Sequence, residues 1–382
     1  MSCALPRAVP EAMSPGRAPS AVLGWLLPLL ICPVCGHGLA YRADPDDEDG
    51  LLYHADAACA ESYPVIEGIP RLLVGSARAR LVRQKAPWFL ATAPRSALLT
   101  SWRSAGSPVP TASVVAGFDY EWTRFQAVGT KELDVVFRSY SDILPADSFA
   151  EGLLVVDAGC GAGRWAFEVA RRGPRVIAVD LGQSVELARR NTAATGRVAC
   201  VQADVQRLPL ARGAFDWAYT LGVLHHLDRP AEALSEITRT VGSGGHVLVY
   251  VYYALEGRGP AYRLIFRAVD LLRRVLSRSP RALAFAIATA VAIVVYFPLA
   301  RSARLLARLG LGSIAEQVPL SFYRERSFGI MRNDSLDRLG TRLERRYTRD
   351  AMVALMRSAG LADVMVSPSP PLWHAIGRVH RD

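Results

Sequence analysis

From Leu153 onward, short apolar runs alternate with helical patterns, and this rhythm restricts the fold more than any other feature of the chain. Runs at Leu153–Asp157, Val176–Asp180, Val198–Gln202, Trp217–Leu221 and His246–Tyr252 are too short for helices and read as strands. Helical patterns at Arg164–Arg172, Ser184–Thr195 and Pro230–Thr240 separate them. Strands joined by helices must lie parallel, because a parallel pair needs a long crossover. The expected fold class is therefore α/β, a doubly wound Rossmann-like sheet. A helix at Arg349–Ala359 and strands at Val364–Ser367 and His374–Val379 would complete seven strands after a long interruption.

The first strand runs into Asp157-Ala-Gly159-Cys-Gly161-Ala-Gly163 and then a helix. Glycines allow a sharp turn and let a ligand approach the backbone. Asp180 ends the next strand about 20 residues on, where a carboxylate can accept from both hydroxyls of a ribose. Further along come Ala203-Asp204-Val205 with Leu208-Pro209, then Phe215-Asp216, Leu221-Gly-Val-Leu-His225-His226-Leu227, and Gly242-Ser-Gly-Gly245.

Taken in order, these segments resemble the motifs of class I S-adenosylmethionine-dependent methyltransferases, closely over 150–253 and loosely over 346–382. The Asp-x-Gly-x-Gly form differs from the dinucleotide fingerprint, whose glycine spacing seats a pyrophosphate. The resemblance implies S-adenosyl-L-methionine as cofactor. It assigns its binding to Asp157, Gly159, Gly161, Gly163, Asp180, Leu181, Asp204, Val205 and Leu221, with Asp204 accepting from the adenine amino group. Gly117 to Phe125 is similar to an aromatic segment that precedes this domain in related enzymes, so Tyr120 and Trp122 would close over the cofactor or else pack on the sheet edge. Arg164 is either a solvated helix residue or a contact to the methionine carboxylate. His225 and His226 are the nearest candidates for a general base, needed where the acceptor is a hydroxyl, a phenol or an acidic carbon; the alternative is that they hold the loop.

Before this unit, Cys32-Pro-Val-Cys35 has metal-knuckle spacing, and Cys59 followed by Tyr63-Pro-Val-Ile-Glu-Gly-Ile-Pro70 looks like the second half of a small zinc-ribbon module. Cys32, Cys35 and Cys59 would supply three ligands to a structural zinc. Asp56 stands where the family's other cysteine should be, so His54, Asp56 or His37 would complete the site, unless the metal is lost and the fold kept. The domain reading is then a disordered tail over 1–24, a zinc-ribbon-like module over 25–75, a linker with a helical lead-in over 76–150 and a helix at Lys131–Tyr140. A cofactor domain over 151–253 follows, then a helical insertion over 254–345, and the domain's last helix and strands over 346–382.

Ala282 to Ala300 in the insertion is uncharged and long enough to cross a bilayer. A single crossing would place the first five strands and the last two on opposite sides of a membrane although they must pair, so a buried lid helix or a membrane-surface helix is expected. The arginines between 258 and 308 face only Asp270, which suits peripheral contact with an anionic membrane or a lipid-like acceptor. The chain carries a formal charge of +10, which would also admit nucleic acid. A nucleic-acid methyltransferase is nevertheless disfavoured, because Leu221-Gly-Val-Leu224 stands where amino-directed enzymes carry an Asn-Pro-Pro-Tyr-like motif. The expected activity is methyl transfer to a small or lipid-like acceptor, on oxygen or carbon rather than nitrogen, with a non-catalytic scaffold as the contrasting class. Six cysteines in 382 residues do not form a disulfide framework, and Ala21–Ile31 lacks a cleavage site. A cytoplasmic protein, free or held at a membrane, is the expectation, and its oligomeric state is open.

Overall fold

The computed structural model describes residues 21–44, 48–54, 59–92, 95–96, 98, 102, 111–122, 129–254, 256, 259–368 and 373–380. Most of the expected tail, the Pro- and Ser-rich stretch around 94–110, Asp56 and the segment 123–128 lie outside them. The dominant element is a seven-stranded sheet built from β5 (Leu154–Ala158), β6 (Arg175–Asp180), β7 (Val198–Gln202), β8 (Phe215–Leu221), β9 (Val241–Tyr250), β10 (Leu361–Val366) and β11 (His374–Val379). Their order across the sheet is β10-β11-β9-β8-β5-β6-β7. The first five strands are parallel, and β11 enters reversed between β9 and β10. β5 is flanked by β6 on one side and β8 on the other, so the winding reverses there. In open α/β sheets the crevice beyond the carboxyl ends of the strands at such a reversal is where ligands bind.

Both faces of the sheet are covered, and the central strands are apolar at almost every position: Val155, Val156, Val176, Ile177, Val179 and Val201 are fully buried. The helices begin where their sequences supply caps. Thr130 accepts from the Leu133 amide ahead of Lys131–Tyr140, and Thr348 accepts from the Ala351 amide ahead of Arg349–Ser358; each such cap stabilises a helix by roughly 1 kcal/mol.

Several expected boundaries move. The first crossover helix stops at Ala170, and the second ends at Thr192, with a single tight turn following. β9 starts at Val241, so the glycine run of 242–245 belongs to the strand rather than to a turn before it. Its pairing with β8 shifts register between Phe215 and Trp217, where a bulge absorbs the extra residues. β10 starts at Leu361, three residues earlier than its apolar pattern suggested, because Ala362 and Asp363 interrupt that pattern and the pairing is irregular between Ala362 and Met365. At the N-terminus, the helix Ala21–Leu26 straddles the boundary expected at 24/25. The expected linker contains the helices Ser76–Gln84, Ala86–Leu90 and Thr111–Trp122 besides the lead-in helix.

The N-terminal unit is an antiparallel sheet of β1 (Ala40–Ala43), β2 (Gly50–Tyr53), β3 (Ser62–Ile66) and β4 (Ile69–Pro70). It is joined to the large sheet through Arg71. That residue makes a backbone bridge to Gln202 on the edge strand β7, donates to the Gln202 amide oxygen at 3.0 Å and pairs with Glu186 at 3.0 Å, with its side chain wholly buried. A free edge strand invites pairing with other chains, and here the small module covers it.

The insertion is helical. Pro260–Leu276, the long helix Arg281–Arg308 with one π turn at Ala292–Tyr296, and Phe328–Gly340 pack as a small bundle. Ser335 donates to the Ala288 carbonyl at 2.9 Å and ties the last two together.

Candidate active site and zinc-ligand cluster

The glycine turn after β5 is shaped by contact. Gly159, Gly161 and Gly163 all have positive φ, at 86°, 52° and 78°. A Cβ at Gly159 would run into the Val223 side chain, and one at Gly161 would lie 2.8 Å from the Trp122 ring. Asp180, at the end of β6, accepts from the Gly161 amide at 2.9 Å and from the Gly182 amide at 2.7 Å. A carboxylate has about four acceptor positions, so two remain for a ribose. The Leu181 carbonyl accepts from Arg80 at 2.9 Å and from the Gln202 amide at 3.1 Å, which ties this loop to the helix Ser76–Gln84 and to the edge strand.

Asp157 is buried at the end of β5, and its Oδ2 has no hydrogen-bond partner. Burial pushes its carboxyl up to about 8, against the pull of the neighbouring Tyr219 hydroxyl. A buried acceptor left open at the mouth of a glycine cradle is a position where a ligand donor belongs. Asp204 accepts from the Gln206 amide at 2.9 Å and so caps the turn after β7. Val205 and Leu221 are buried and supply apolar walls.

The aromatic helix Thr111–Trp122 lies against this turn. Asp119 accepts from the Ser184 amide at 3.2 Å and converges with Asp180 on Gly182, a position where a Cβ would clash with the Asp119 carboxylate. Burial and the charge of Asp180 raise Asp119 to about 6, while Arg80 opposes the rise. Three residues on, the Arg164 guanidinium sits 4.4 Å from the Trp122 ring centre, and the Glu121 and Asp334 carboxylates surround it electrostatically. The structure therefore places Arg164 among acids contributed by the aromatic helix and the insertion. Tyr120 faces Phe285 of the long insertion helix, with ring centres 6.2 Å apart, so it stands on the insertion side of the site.

The histidines after β8 separate into two environments. His225 is fully buried, stacked on Tyr252 at 3.9 Å between ring centres, and burial together with His226 and Arg346 holds its imidazole well below the ordinary range. His226 Nδ1 lies 2.8 Å from the Leu343 carbonyl, an acceptor, so Nδ1 carries the proton and Nε2 keeps its lone pair when the ring is neutral. That Nε2 is 3.6 Å from Asp337 Oδ1, and the Tyr252 hydroxyl donates to the other Asp337 oxygen. The base candidate of the pair is thus His226, with Asp337 positioned to stabilise the imidazolium that forms when Nε2 takes a proton. Around it, Tyr140, Tyr250 and Tyr252 make a half-buried wall, with ring centres 4.8 Å and 6.1 Å apart in succession. Phe118 packs on His226 at 5.1 Å, and also lines a small cavity of about 40 Å³ whose wall includes Glu121, Arg281, Ala284, Leu336 and Arg342. A larger groove of about 700 Å³ opens at the opposite, amino-terminal edge of the strands, around Gly213–Trp217 and Gly242–His246, away from the glycine turn.

Two residues of this arrangement were not singled out in the sequence, although Asp119 lies within the aromatic segment Gly117 to Phe125. Asp337 lies in the helix Phe328–Gly340, more than a hundred residues from the histidines, and Asp119 comes from the helix that precedes the sheet. An acid three residues before a helix end looks like any solvated charge until the fold shows what it faces.

In the small N-terminal module, Cys32, Cys35, His54 and Cys59 place their ligand atoms within 4.8 Å of one another. His54 thus completes the three-cysteine set, and its Nε2 is 3.6 Å from Cys35 Sγ. Burial pushes the Cys32 thiol up, but the Tyr63 hydroxyl and the Cys35 and Val34 backbone outweigh it and bring the thiol down to about 7. Three sulfurs and one imidazole with this mutual approach are the donor set of a closed tetrahedral zinc site.

Residues 156–249 match the family described as a methyltransferase domain. Over 128 residues the chain is 36% identical to a malonyl-[acyl-carrier protein] O-methyltransferase of Enterobacter lignolyticus, covering 33% of this chain and 48% of that protein. Over 173 residues it is 28% identical to a ubiquinone biosynthesis O-methyltransferase of Acinetobacter baylyi, covering 41% and 71%. Among solved structures, it aligns with an S-adenosylmethionine-dependent methyltransferase of Thermotoga maritima at 16% identity and a TM-score of 0.37, over 69% of this chain and 99% of that one. The chain spans between 30% and 56% of the length of the first curated relatives it matches.

Proposed function

We propose that this chain, whose residues 156–249 match a methyltransferase domain, transfers the methyl group of S-adenosylmethionine to a hydroxyl or acidic carbon of a small or lipid-like acceptor. The observation that carries this reading is the juxtaposition of His226 Nε2 and Asp337 Oδ1 at 3.6 Å in a wall of tyrosines. A base backed by a carboxylate serves an acceptor that must lose a proton, and an amine acceptor needs it far less.

When bound, S-adenosylmethionine supplies an activated methyl group on its sulfonium. Asp180 and the glycine turn would hold its ribose and backbone-facing side, and the open Asp157 oxygen would take a donor from it. His226 receives the acceptor's proton at Nε2, with its tautomer held by the Leu343 carbonyl and its positive charge balanced by Asp337. Tyr140, Tyr250, Tyr252 and Trp122 keep water from the reacting atoms, which preserves alignment and strengthens each electrostatic contact. In the N-terminal module, Cys32, Cys35, His54 and Cys59 would hold a structural zinc. With every ligand position filled by protein, that zinc would leave no open site for chemistry.

The test is product formation. The purified chain is incubated with cofactor labelled in the methyl group and with a panel of phenols, quinols and lipid extracts, and labelled product is separated from amine-bearing controls. Label in hydroxyl acceptors supports the reading; label confined to amines or to nucleic acid would reject it.

A further inference from the structure

The helix Arg281–Arg308 is turned inside out for a helix that packs in water. Its inner face is a stripe of small residues: Ala284, Ala288, Ala292, Ala300 and Ala303 are buried against the bundle. Tyr296 is buried with them and Phe285, Ile287 and Val291 are half-buried, but six large apolar side chains of the helix are exposed. Val294 is 72% exposed, Leu305 59% and Ile293 54%, Phe297 stands beside them, and Leu309, just past the helix end, is 65% exposed. A surface helix of a soluble domain shows the opposite arrangement, large apolar residues inward and polar residues outward. The feature is regional. Among the described residues, thirteen of the nineteen exposed large apolar side chains fall between Val269 and Ile314, which makes them a patch rather than scattered singles.

Charge marks the same region. Residues 260–315 hold nine arginines against Asp270, eight of the chain's ten net positive charges. Arg273 and Arg274 pair with Asp270. Arg267, Arg278, Arg281 and Arg308 are exposed and have no carboxylate partner among the described residues. Apolar side chains flanked by unpaired arginines match the boundary of an anionic bilayer, which attracts basic residues near its surface.

At 28 residues the helix is long enough to cross a membrane. The sheet forbids a lone crossing: β10 and β11 follow the helix in sequence, yet β11 pairs with β9, which precedes it. Both ends of the helix must therefore lie on one side.

We propose that the outer face of Arg281–Arg308, with the exposed apolar residues of Pro260–Leu276, docks flat on an anionic phospholipid bilayer. The cavity beside Phe118 and His226 includes Arg281 and Ala284 from the first turn of this helix, so the docked face brings the acceptor side of the site to the lipid boundary. Resting on the methyl-transfer reading above, the acceptor class is then a membrane-resident amphiphile, whose polar end passes Arg281 and Arg342 toward His226 while its apolar part stays in the bilayer.

Flotation of the full chain with phosphatidylcholine vesicles, with and without 30% phosphatidylglycerol, tests the docking. Val294→Glu and Leu305→Glu are the variants, because both residues are exposed and neither touches the cofactor turn. The expected result is binding to the anionic vesicles, at least about tenfold weaker without phosphatidylglycerol and about tenfold weaker in each variant, while calorimetric S-adenosylmethionine binding stays at the wild-type value in all three proteins. Wild-type protein left in the soluble fraction with anionic vesicles would overturn the proposal. So would a stable dimer that Val294→Glu separates, since that would assign the face to a second copy of this chain. Cofactor binding without flotation rejects the docking alone, and flotation without cofactor binding rejects the methyl-transfer reading alone.

Discussion

Asp180 and Asp337 both stand beside the aromatic helix Thr111–Trp122, one near Asp119 and the other near Glu121, yet they reach it in different ways. Asp180 sits at the end of a strand that follows a glycine turn by a fixed interval, so its neighbours are set by local chain geometry. Asp337 comes from an inserted helix and acquires its partners, Tyr252 and His226, only through tertiary packing. On the proposed reading, the donor side of the site is held by backbone turns, and the acceptor side by side chains of the inserted bundle.

This contrast can be broken at the acceptor side first. Asp337→Asn keeps the shape of the side chain but removes the charge that balances the His226 imidazolium. Steady-state kinetics should show kcat falling about 100-fold, roughly 2.7 kcal/mol, with cofactor affinity unchanged. A loss of cofactor affinity instead would make Asp337 part of the donor side and end the distinction.

The aromatic helix is where the two sides touch. Trp122 rests on Gly161 and its ring carries the Arg164 guanidinium, so Trp122→Ala should raise the apparent KM for the cofactor about tenfold, roughly 1.4 kcal/mol. Wild-type cofactor kinetics in the folded variant would reduce Trp122 to a core residue.

The small module offers a control remote from both. Metal analysis of the full chain, purified with zinc present, should give about one equivalent, falling below about half in His54→Ala with methyl transfer little changed. A large loss of activity in a variant that stays folded would connect the module to the site.

The smallest effect concerns pH. Asp157 is raised from the ordinary carboxyl value to about 8 by burial, so its neutral form is favoured in the folded, cofactor-free chain. Its contribution to stability is complete at low pH and is lost as pH rises through about 8. Thermal melting should therefore move down by a few degrees between about pH 6 and pH 9, and Asp157→Asn should flatten that slope. An unchanged slope in the variant would place the titration elsewhere.

How much of this was legible in the sequence follows the same division. Seven strands and their α/β class were visible because buried parallel strands read as short apolar runs; the helices Lys131–Tyr140 and Pro230–Thr240 and the strands β7 and β11 occupy the expected residues. β10 was placed late because Ala362 and Asp363 interrupt its apolar run and its pairing is irregular. The glycine turn and Asp180 announce themselves through spacing, whereas the roles of His225 and His226 separate only when burial and the Leu343 carbonyl are seen. Asp337 had no periodicity or spacing to distinguish it, and Asp119 was passed over within the aromatic segment that was read only for Tyr120 and Trp122. The fourth donor of the cysteine cluster stood among three candidates, and among the described residues the fold brings His54 to the three sulfurs. The outward apolar face of Arg281–Arg308 was likewise ambiguous, since an apolar run does not disclose which of its sides is buried.

The most direct test of the account is calorimetric binding of S-adenosylmethionine and S-adenosylhomocysteine to the full chain, with Asp180→Ala beside it. The account predicts micromolar binding of both ligands, weakened at least about thirtyfold in the variant by loss of two hydrogen bonds to a charged group. Absence of binding by well-folded wild-type protein, or equal binding by Asp180→Ala, would contradict it.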